Sequence, residues 1–284
     1  MSMSGSARLA GVVGWPIAQS LSPALHGHWI AEHGIDGAYV PLPVRPEDFA
    51  LAVEGLRHAG FRGLNVTVPH KEAAFALADR HDAAARAIGA VNLLVFDERG
   101  VEGRNTDAAG LAATLIEALG PNHVKGRPVA IWGAGGTARA AIYALAGMGA
   151  GEIRLFNRTA AKAVALANAG LVRTPVTGAG YDRWEEDGKD AALIVHTTSA
   201  GMKKTPSLDL SLDLLPADAA VFDAVYNPLE TALLARARAR GLRIVDGLGM
   251  LLNQAVPAFE VFYGVKPSVT PALRRALEKA LSGG

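Results

Sequence analysis

The sequence predicts an α/β protein of two domains, an N-terminal α/β domain and a Rossmann-type nucleotide-binding domain, and three observations lead there. An apolar run from Val129 to Trp132 meets the glycine turn Gly133-Ala134-Gly135-Gly136 and then a small-residue stretch with helical spacing through Leu145. Apolar strand-like runs alternate with helical periodicity along the chain, the pattern of open sheets joined by crossover helices. The length, 284 residues, suits about two domains of ordinary size.

Composition narrows the functional classes. The hydrophobic content of 50% fills two cores, and with only 6% aromatic residues those cores are built from Ala, Val and Leu. A net charge of +1 argues against a nucleic-acid-binding surface, which needs concentrated Lys and Arg. The absence of cysteine removes disulfides and thiolate chemistry. No signal-peptide pattern opens the sequence and no apolar segment is long and uncharged enough to span a bilayer. The expectation is a cytoplasmic protein that acts on small molecules, with no nucleic-acid or membrane partner.

Taken in order, residues 9–14 read as a buried strand that opens into Trp15-Pro16-Ile17-Ala18-Gln19-Ser20-Leu21-Ser22-Pro23, with a helix over 24–33. Ser22 is placed to cap that helix, with Pro23 at its first position. Ser20 is then surplus to the cap and free for an anionic ligand. His26 and His28 are two apart, on different helix faces, and read as structural or surface residues. A strand over 37–44 and a helix over 46–59 follow. The segment Asn65-Val66-Thr67-Val68-Pro69-His70-Lys71 is a strand delivering its end into a helix that begins at Pro69. Lys71 therefore sits in a first turn, where the helix dipole opposes a cation. A broken local rule of this kind marks a candidate functional residue.

A helix over 73–86 and a strand over 88–96 come next, the strand holding Asn92 among apolar neighbours. Such an amide must hold a backbone group or a ligand. Asn105-Thr106-Asp107 leads into a helix over 108–119, for which Thr106 or Asp107 is a candidate cap. Asp107 gains interest from Lys71, because a lysine and a carboxylate together can pass a proton to and from a substrate oxygen.

The turn Gly133-x-Gly135-x-x-Ala138 fits the dinucleotide fingerprint: Gly133 for the tight turn, Gly135 for backbone approach to a pyrophosphate, Ala138 for close packing of helix on strand. Ala134, Gly136 and Thr137 complete the loop, and the helix N-terminus offers partial positive charge. A second strand over 151–156 ends roughly 20 residues on, where an NAD site places an acid. Here stand Asn157, Arg158 and Thr159, with Lys162 one turn later, so the site is expected to take the 2′-phosphate of NADP. Strands over 191–195 and 219–224 lead into His196-Thr197-Thr198-Ser199 and Val225-Tyr226-Asn227-Pro228, both on the ligand side of such a sheet. A helix over 229–240 and a strand over 242–245 complete it. Gly247-Leu248-Gly249 reads as a hinge, followed by helices over 250–263 and 271–281, with Gln254 in the first.

As a set, the Ser-Leu-Ser-Pro loop, Asn-Val-Thr-Val-Pro-His-Lys, Gly-Ala-Val-Asn, Asn-Thr-Asp, Gly-Ala-Gly-Gly, Asn-Arg-Thr and Gly-Met-Leu with Gln254 resemble the shikimate dehydrogenase family, from about Gly11 to Gly264. The resemblance implies NADPH-dependent, reversible reduction of 3-dehydroshikimate to shikimate, on the route to chorismate and the aromatic amino acids. It implies Lys71 and Asp107 as the catalytic pair, and Ser20 and Ser22 on the substrate carboxylate with Tyr226 nearby. Thr67, Asn92, Asp107 and Gln254 are implied around the ring. Residues 133–138 match the phosphate loop, Asn157, Arg158, Thr159 and Lys162 the 2′-phosphate clamp, and Thr198, Ser199, Ala224, Gly247 and Met250 the nicotinamide side.

It also implies a discontinuous substrate domain, 1–106 plus 248–284, with the NADP domain, 107–247, inserted. Trp15, Gln19 and His196 depart from the family, which often has Asn or His, His, and Asn at these positions. The competing readings are a quinate/shikimate enzyme with broader substrate or NAD use, and a non-catalytic NADP-binding sensor. Monomer and homodimer both fit.

Overall fold

The computed structural model of the chain describes residues 3–203 and 205–282. These form two units. One runs through Thr106 and resumes at Gln254, and the other is Asp107–Asn253.

The first unit opens with β1 (Arg8–Gly14), α1 (Ser22–Glu32), β2 (Gly37–Pro43) and α2 (Phe49–His58). It continues with β3 (Gly63–Val66), α3 (Lys71–Leu77), β4 (Arg80–His81), α4 (Ala83–Ile88), β5 (Leu93–Asp97) and β6 (Gly100–Arg104). Its sheet has the order β2-β1-β3-β5-β6-β4. β1 runs parallel to both neighbours, while β5 is antiparallel to β3 and β6. Val13, Leu64, Val66 and Leu94 pack with Phe49, Val53 and Ala74 on one face.

The single helix expected over 73–86 is two helices. Ala78 turns extended, and the Asp79 carboxylate accepts from the Val101 N–H at 2.7 Å. Asp82 then caps α4, accepting from the Ala85 N–H at 2.6 Å. Two acids that bond backbone outside a helix end one and start the next. The expected strand over 88–96 also begins later, at Leu93, so Asn92 stands just outside it.

The second unit contains α5 (Asp107–Leu119), β7 (Pro128–Trp132), α6 (Gly136–Gly147), β8 (Glu152–Asn157), α7 (Ala160–Ala167) and β9 (Val176–Gly180). It goes on through α8 (Trp184–Asp187), β10 (Leu193–His196), β11 (Ala220–Asp223), α9 (Ala232–Ala239) and β12 (Arg243–Val245). The named strands of its sheet pair in parallel, in the order β12-β11-β10-β7-β8-β9. That is the doubly wound arrangement whose strand order reverses between β7 and β10. Trp132, Phe156 and Trp184 pack edge to face in its core, with centroids 4.9 and 5.2 Å apart.

Two helices end the chain, α10 (Gly247–Tyr263) and α11 (Pro271–Ser282). The expected hinge at 247–249 is the first turn of α10, because both glycines serve close packing. A Cβ on Gly249 would lie 2.7 Å from Thr114 Cγ2, and one on Gly247 would strike the Ala224 carbonyl. By packing, the chain leaves the second unit between Asn253 and Gln254, inside α10, rather than after residue 247. Asn253 Nδ2 still donates to Thr114 Oγ1 at 3.1 Å. Beyond it, the chain joins the first unit. Phe259 packs edge to face on Trp29 at 5.3 Å, the Tyr263 hydroxyl donates to the Ala38 carbonyl at 2.9 Å, and Trp29 Nε1 donates to the Ser268 carbonyl at 3.1 Å.

Candidate active site

In the first unit the chain goes from β1 to β2 on one side, while β3 lies on the other, so the carboxyl ends of β1 and β3 flank a reversal of strand order. Open α/β sheets bind ligands at such points. The two exit loops are tied there: the Thr67 N–H donates to Val13 at 3.0 Å and the Trp15 N–H to Val68 at 3.0 Å.

On the first loop, the cap expected of Ser22 does not form. Ser22 is not the cap; it is the first residue of α1, is buried, and has Leu21 before it in the cap position without a side-chain bond. The Ser20 hydroxyl accepts from the Ser22 N–H at 3.3 Å and so helps to hold the helix entry. Ser22 needs no cap role for itself, because the Ser20 hydroxyl, two residues earlier, reaches forward to accept from its amide.

On the second loop, Thr67 is half-buried and its carbonyl accepts from the His70 N–H at 2.9 Å. This turn delays the helix, which starts at Lys71 and not at Pro69. His70 is buried against Phe49, ring stacked on ring at 4.6 Å, and its Nε2–H donates to the Val44 carbonyl at 2.8 Å. The residue before Lys71 is thereby anchored. Lys71 itself is half-buried, and its carbonyl accepts from the Val91 N–H at 2.9 Å, which joins this turn to the segment carrying Asn92.

Asn92 is 2% exposed and fully engaged. Its Oδ1 accepts from the Thr106 N–H at 2.8 Å. Its Nδ2 donates to Thr106 Oγ1 at 2.9 Å and to Gln254 Oε1 at 3.3 Å. The Thr106 hydroxyl reaches the same Gln254 oxygen at 3.4 Å. Behind this set, Asn65 donates to the Asn92 carbonyl at 3.4 Å and accepts from the Tyr39 hydroxyl at 2.7 Å. Thr106 and Asn65 were not among the expected site residues. The signal was present in both: a polar residue alternating with apolar ones in a buried strand, and a threonine between an asparagine and an aspartate.

Asp107, the first residue of α5, is buried at 4% exposure. It belongs to the second unit, Lys71 to the first.

In the second unit the loops after β7 and β10 flank the reversal of strand order. Gly133 has φ +121°, a conformation closed to side chains, and a Cβ there would meet Thr197 Oγ1 and lie 3.0 Å from Thr198 Cγ2. Gly135 caps α6 and is exposed, and a Cβ on it would meet nothing within 4 Å. Open space therefore stands where the amides of Gly135, Gly136 and Thr137 begin a helix, while Ala138 is fully buried beneath. β8 ends at Asn157, whose Nδ2 donates to the Thr159 carbonyl at 3.0 Å. Arg158, Thr159 and Lys162 are exposed, and no carboxylate stands among residues 157–162.

The positive charge of Arg158 reaches Tyr181, whose phenol burial pushes up to about 12 against that pull. This donor set, an open cradle at a helix start and two exposed cations beyond the second strand, fits a dinucleotide carrying a 2′-phosphate.

Ala224 and Gly247 are brought together by the close approach already described, and Met250 is buried in the next turn of α10. The Ala224 N–H donates to the His196 carbonyl at 2.9 Å. Thr198, Ser199 and Tyr226 lie on the loops after β10 and β11, with Ala134 half-buried beside Gly133. No helix among the described residues is long and apolar enough to cross a membrane.

Comparison with known proteins follows the same lines. Residues 12–94 match the family described as the shikimate dehydrogenase substrate binding domain. The chain is 52% identical over 287 residues to the shikimate dehydrogenase (NADP(+)) of Acidiphilium cryptum, covering 100% of both chains. Among solved structures, shikimate 5-dehydrogenase from Thermus thermophilus in complex with NADP(H) and shikimate superposes with a TM-score of 0.82 at 33% identity, over 96% of this chain and 99% of that one. Quinate dehydrogenase from Corynebacterium glutamicum in complex with NAD gives a TM-score of 0.86 at 33% identity, again over 96% and 99%.

Proposed function

The chain belongs to the shikimate dehydrogenase family, and on that footing we propose that it interconverts 3-dehydroshikimate and shikimate with NADP, using Lys71 and Asp107 as its proton-handling pair. The first unit takes the substrate and the second takes NADP. The setting is the cytoplasm, with the protein acting as a monomer or homodimer in the route to chorismate.

What carries this reading is the gathering of Ser20, Ser22, Thr67 and Lys71 on the paired exit loops of β1 and β3, next to the hydrogen-bonded Asn92, Thr106 and Gln254. Shikimate offers a carboxylate and a set of ring hydroxyls. The Ser20 and Ser22 hydroxyls are donors suited to the carboxylate, with Tyr226 as a further partner. Thr67 and Gln254 are matched to hydroxyls, since each can donate to or accept from an alcohol, and Asn92, whose amide hydrogens are held by Thr106 and Gln254, keeps acceptor capacity on Oδ1. Because Asn92 and Gln254 already hold one another, they present a fixed polar surface at little entropic cost.

NADP, when bound, supplies or takes the hydride. In reduction of the ketone, Lys71 donates a proton to the oxygen on which negative charge develops, and Asp107 keeps that ammonium oriented. In oxidation, Lys71 takes the hydroxyl proton. Gly133, Ala134, Gly135, Gly136, Thr137 and Ala138 form the phosphate turn. Asn157, Arg158, Thr159 and Lys162 bind the 2′-phosphate, and Thr198, Ser199, Ala224, Gly247 and Met250 line the nicotinamide end.

The test is steady-state oxidation of shikimate and of quinate, each with NADP and with NAD. The reading expects shikimate with NADP to give the highest kcat/KM. Arg158→Ala should raise KM for NADP by about tenfold or more while leaving the low NAD rate unchanged, as expected for loss of a phosphate-binding guanidinium. Higher turnover of quinate, or indifference of NADP binding to Arg158, would move the assignment to a quinate or NAD enzyme of the same fold.

A further inference from the structure

Beneath the loop that follows β10 lies a polar chain of which the chemistry above uses only Thr198. His196, Asp223 and Thr231 are 1%, 0% and 1% exposed. His196 Nδ1 is 2.8 Å from Asp223 Oδ1, and His196 Nε2 is 2.6 Å from Thr198 Oγ1. Asp223 Oδ1 also accepts from the Val225 N–H at 2.9 Å, and Oδ2 accepts from the Thr231 hydroxyl at 2.6 Å. The Thr231 oxygen in turn accepts from the Leu234 N–H at 3.3 Å, and Thr198 Oγ1 accepts from the Ala200 N–H at 3.1 Å.

The Nδ1–H tautomer of His196 satisfies every atom of this chain. Asp223 is surrounded by donors, so the Nδ1 proton of His196 points at it. In that tautomer Nε2 carries no proton and can only accept, so the Thr198 hydroxyl donates to it while its oxygen accepts from the Ala200 N–H. Each link fixes the next, and the Thr198 hydroxyl has one orientation. The loop it belongs to is also the wall of the phosphate turn. Both the amide and the hydroxyl of Thr197 donate to the Trp132 carbonyl, at 2.8 and 2.9 Å, and Thr197 and Thr198 are the residues that leave no room for a side chain at Gly133.

We propose that His196, held as the Nδ1–H tautomer by Asp223, is a positioning residue for the dinucleotide: it locks Thr198, and through it the 197–200 loop, against Gly133, and so sets the shape of the phosphate turn. This rests on the nucleotide reading of the second unit. The resemblance that places asparagine at this position in many relatives suggests the conservative replacement, since an amide can also donate to Asp223 and accept from Thr198.

The experiment has two readouts on the full chain, neither of which needs turnover. Long-range nitrogen–proton correlation spectra, with His196→Asn as the assignment control, report the tautomer. Fluorescence titration gives the Kd for NADPH of wild type, His196→Leu, His196→Asn, Thr198→Val and the double variant His196→Leu/Thr198→Val. The expected results are an Nδ1–H imidazole and a Kd raised on the order of tenfold in both His196→Leu and Thr198→Val, the loss of about one buried hydrogen bond's worth of positioning. His196→Asn should stay close to wild type, and the double variant should bind no worse than either single one, because both remove the same link.

A merely structural role would lower the unfolding midpoint and leave the Kd of the folded fraction unchanged. An Nε2–H tautomer, or Thr198→Val binding NADPH as wild type does, overturns the proposal, and Thr198→Val decides it even if His196→Leu does not fold. Wild type that binds NADPH but oxidises neither shikimate nor quinate would instead count against the proposed function and leave this test standing.

Discussion

At the scale of single residues, polar groups in apolar surroundings divide into those that have found partners and those that have not. Asn92 has found three, so Asn92→Ala should strand the Thr106 N–H and cost about 1–3 kcal/mol, together with a higher KM for shikimate; urea unfolding and kinetics on the same variant check both. His26 is the opposite case. It is 1% exposed, stacked on Tyr39 at 3.9 Å, and neither ring nitrogen has a hydrogen-bond partner among the described residues.

Burial pushes the His26 imidazole down from its ordinary 6.5 to about 3. The unfolded chain therefore takes up a proton near pH 6.5 that the folded chain refuses until about pH 3. Its contribution to stability is intact above pH 6.5 and falls with pH below it, by about 1.4 kcal/mol per pH unit through that window. His26→Phe should flatten this acid limb, measured as urea midpoints at neutral and mildly acid pH. The sequence left His26 either structural or on the surface, and its burial against Tyr39 decides for the first. That Ser20 and not Ser22 meets an amide at the helix entry was not legible, since either hydroxyl suits the place and only the backbone path decides.

At the scale of elements, the strands that lead into the ligand loops were more legible than helix boundaries, while β4, β6 and β9 were not anticipated. The strand, turn and helix around Gly133 follow from composition alone, because a φ of +121° admits essentially glycine and the apolar run before it has nowhere else to go. The region 73–86 misled because its alanines favour a helix throughout, while Asp79 and Asp82, whose bonds break it, look like ordinary surface acids until their partners are known. Asp82→Ala should then cost about 1 kcal/mol through loss of the α4 cap, seen in the thermal midpoint without a change in NADP binding.

The glycines at 247–249 suggested a hinge by the same ambiguity, since small residues permit bending and close packing equally. Gly249→Ala separates the two: a hinge would tolerate it, whereas packing on Thr114 at 2.7 Å predicts a loss of about 1–3 kcal/mol.

At the scale of the whole molecule, the order of elements and the fingerprint made the second unit's nucleotide fold legible. The return of the chain to the first unit, from Gln254 onward, was not written in local periodicity; a return of the C-terminal helices was implied only by family resemblance. It is explained by partners far away in sequence, such as Trp29 with Phe259 and Ala38 with Tyr263. If the second unit binds NADP, the folded chain gains about 2.7 kcal/mol at a hundredfold excess over Kd, visible as a rise in thermal midpoint that NAD at the same concentration does not match.

The measurement that bears most directly on the central claim is the rate of shikimate oxidation by Lys71→Ala beside wild type, with NADP affinity determined on the same samples. The account predicts a kcat lower by about a hundredfold to ten-thousandfold, as for loss of a general acid and base, with the Kd for NADP unchanged. A variant that turns over shikimate at the wild-type rate, or a wild type that binds NADP and oxidises no shikimate, would contradict it.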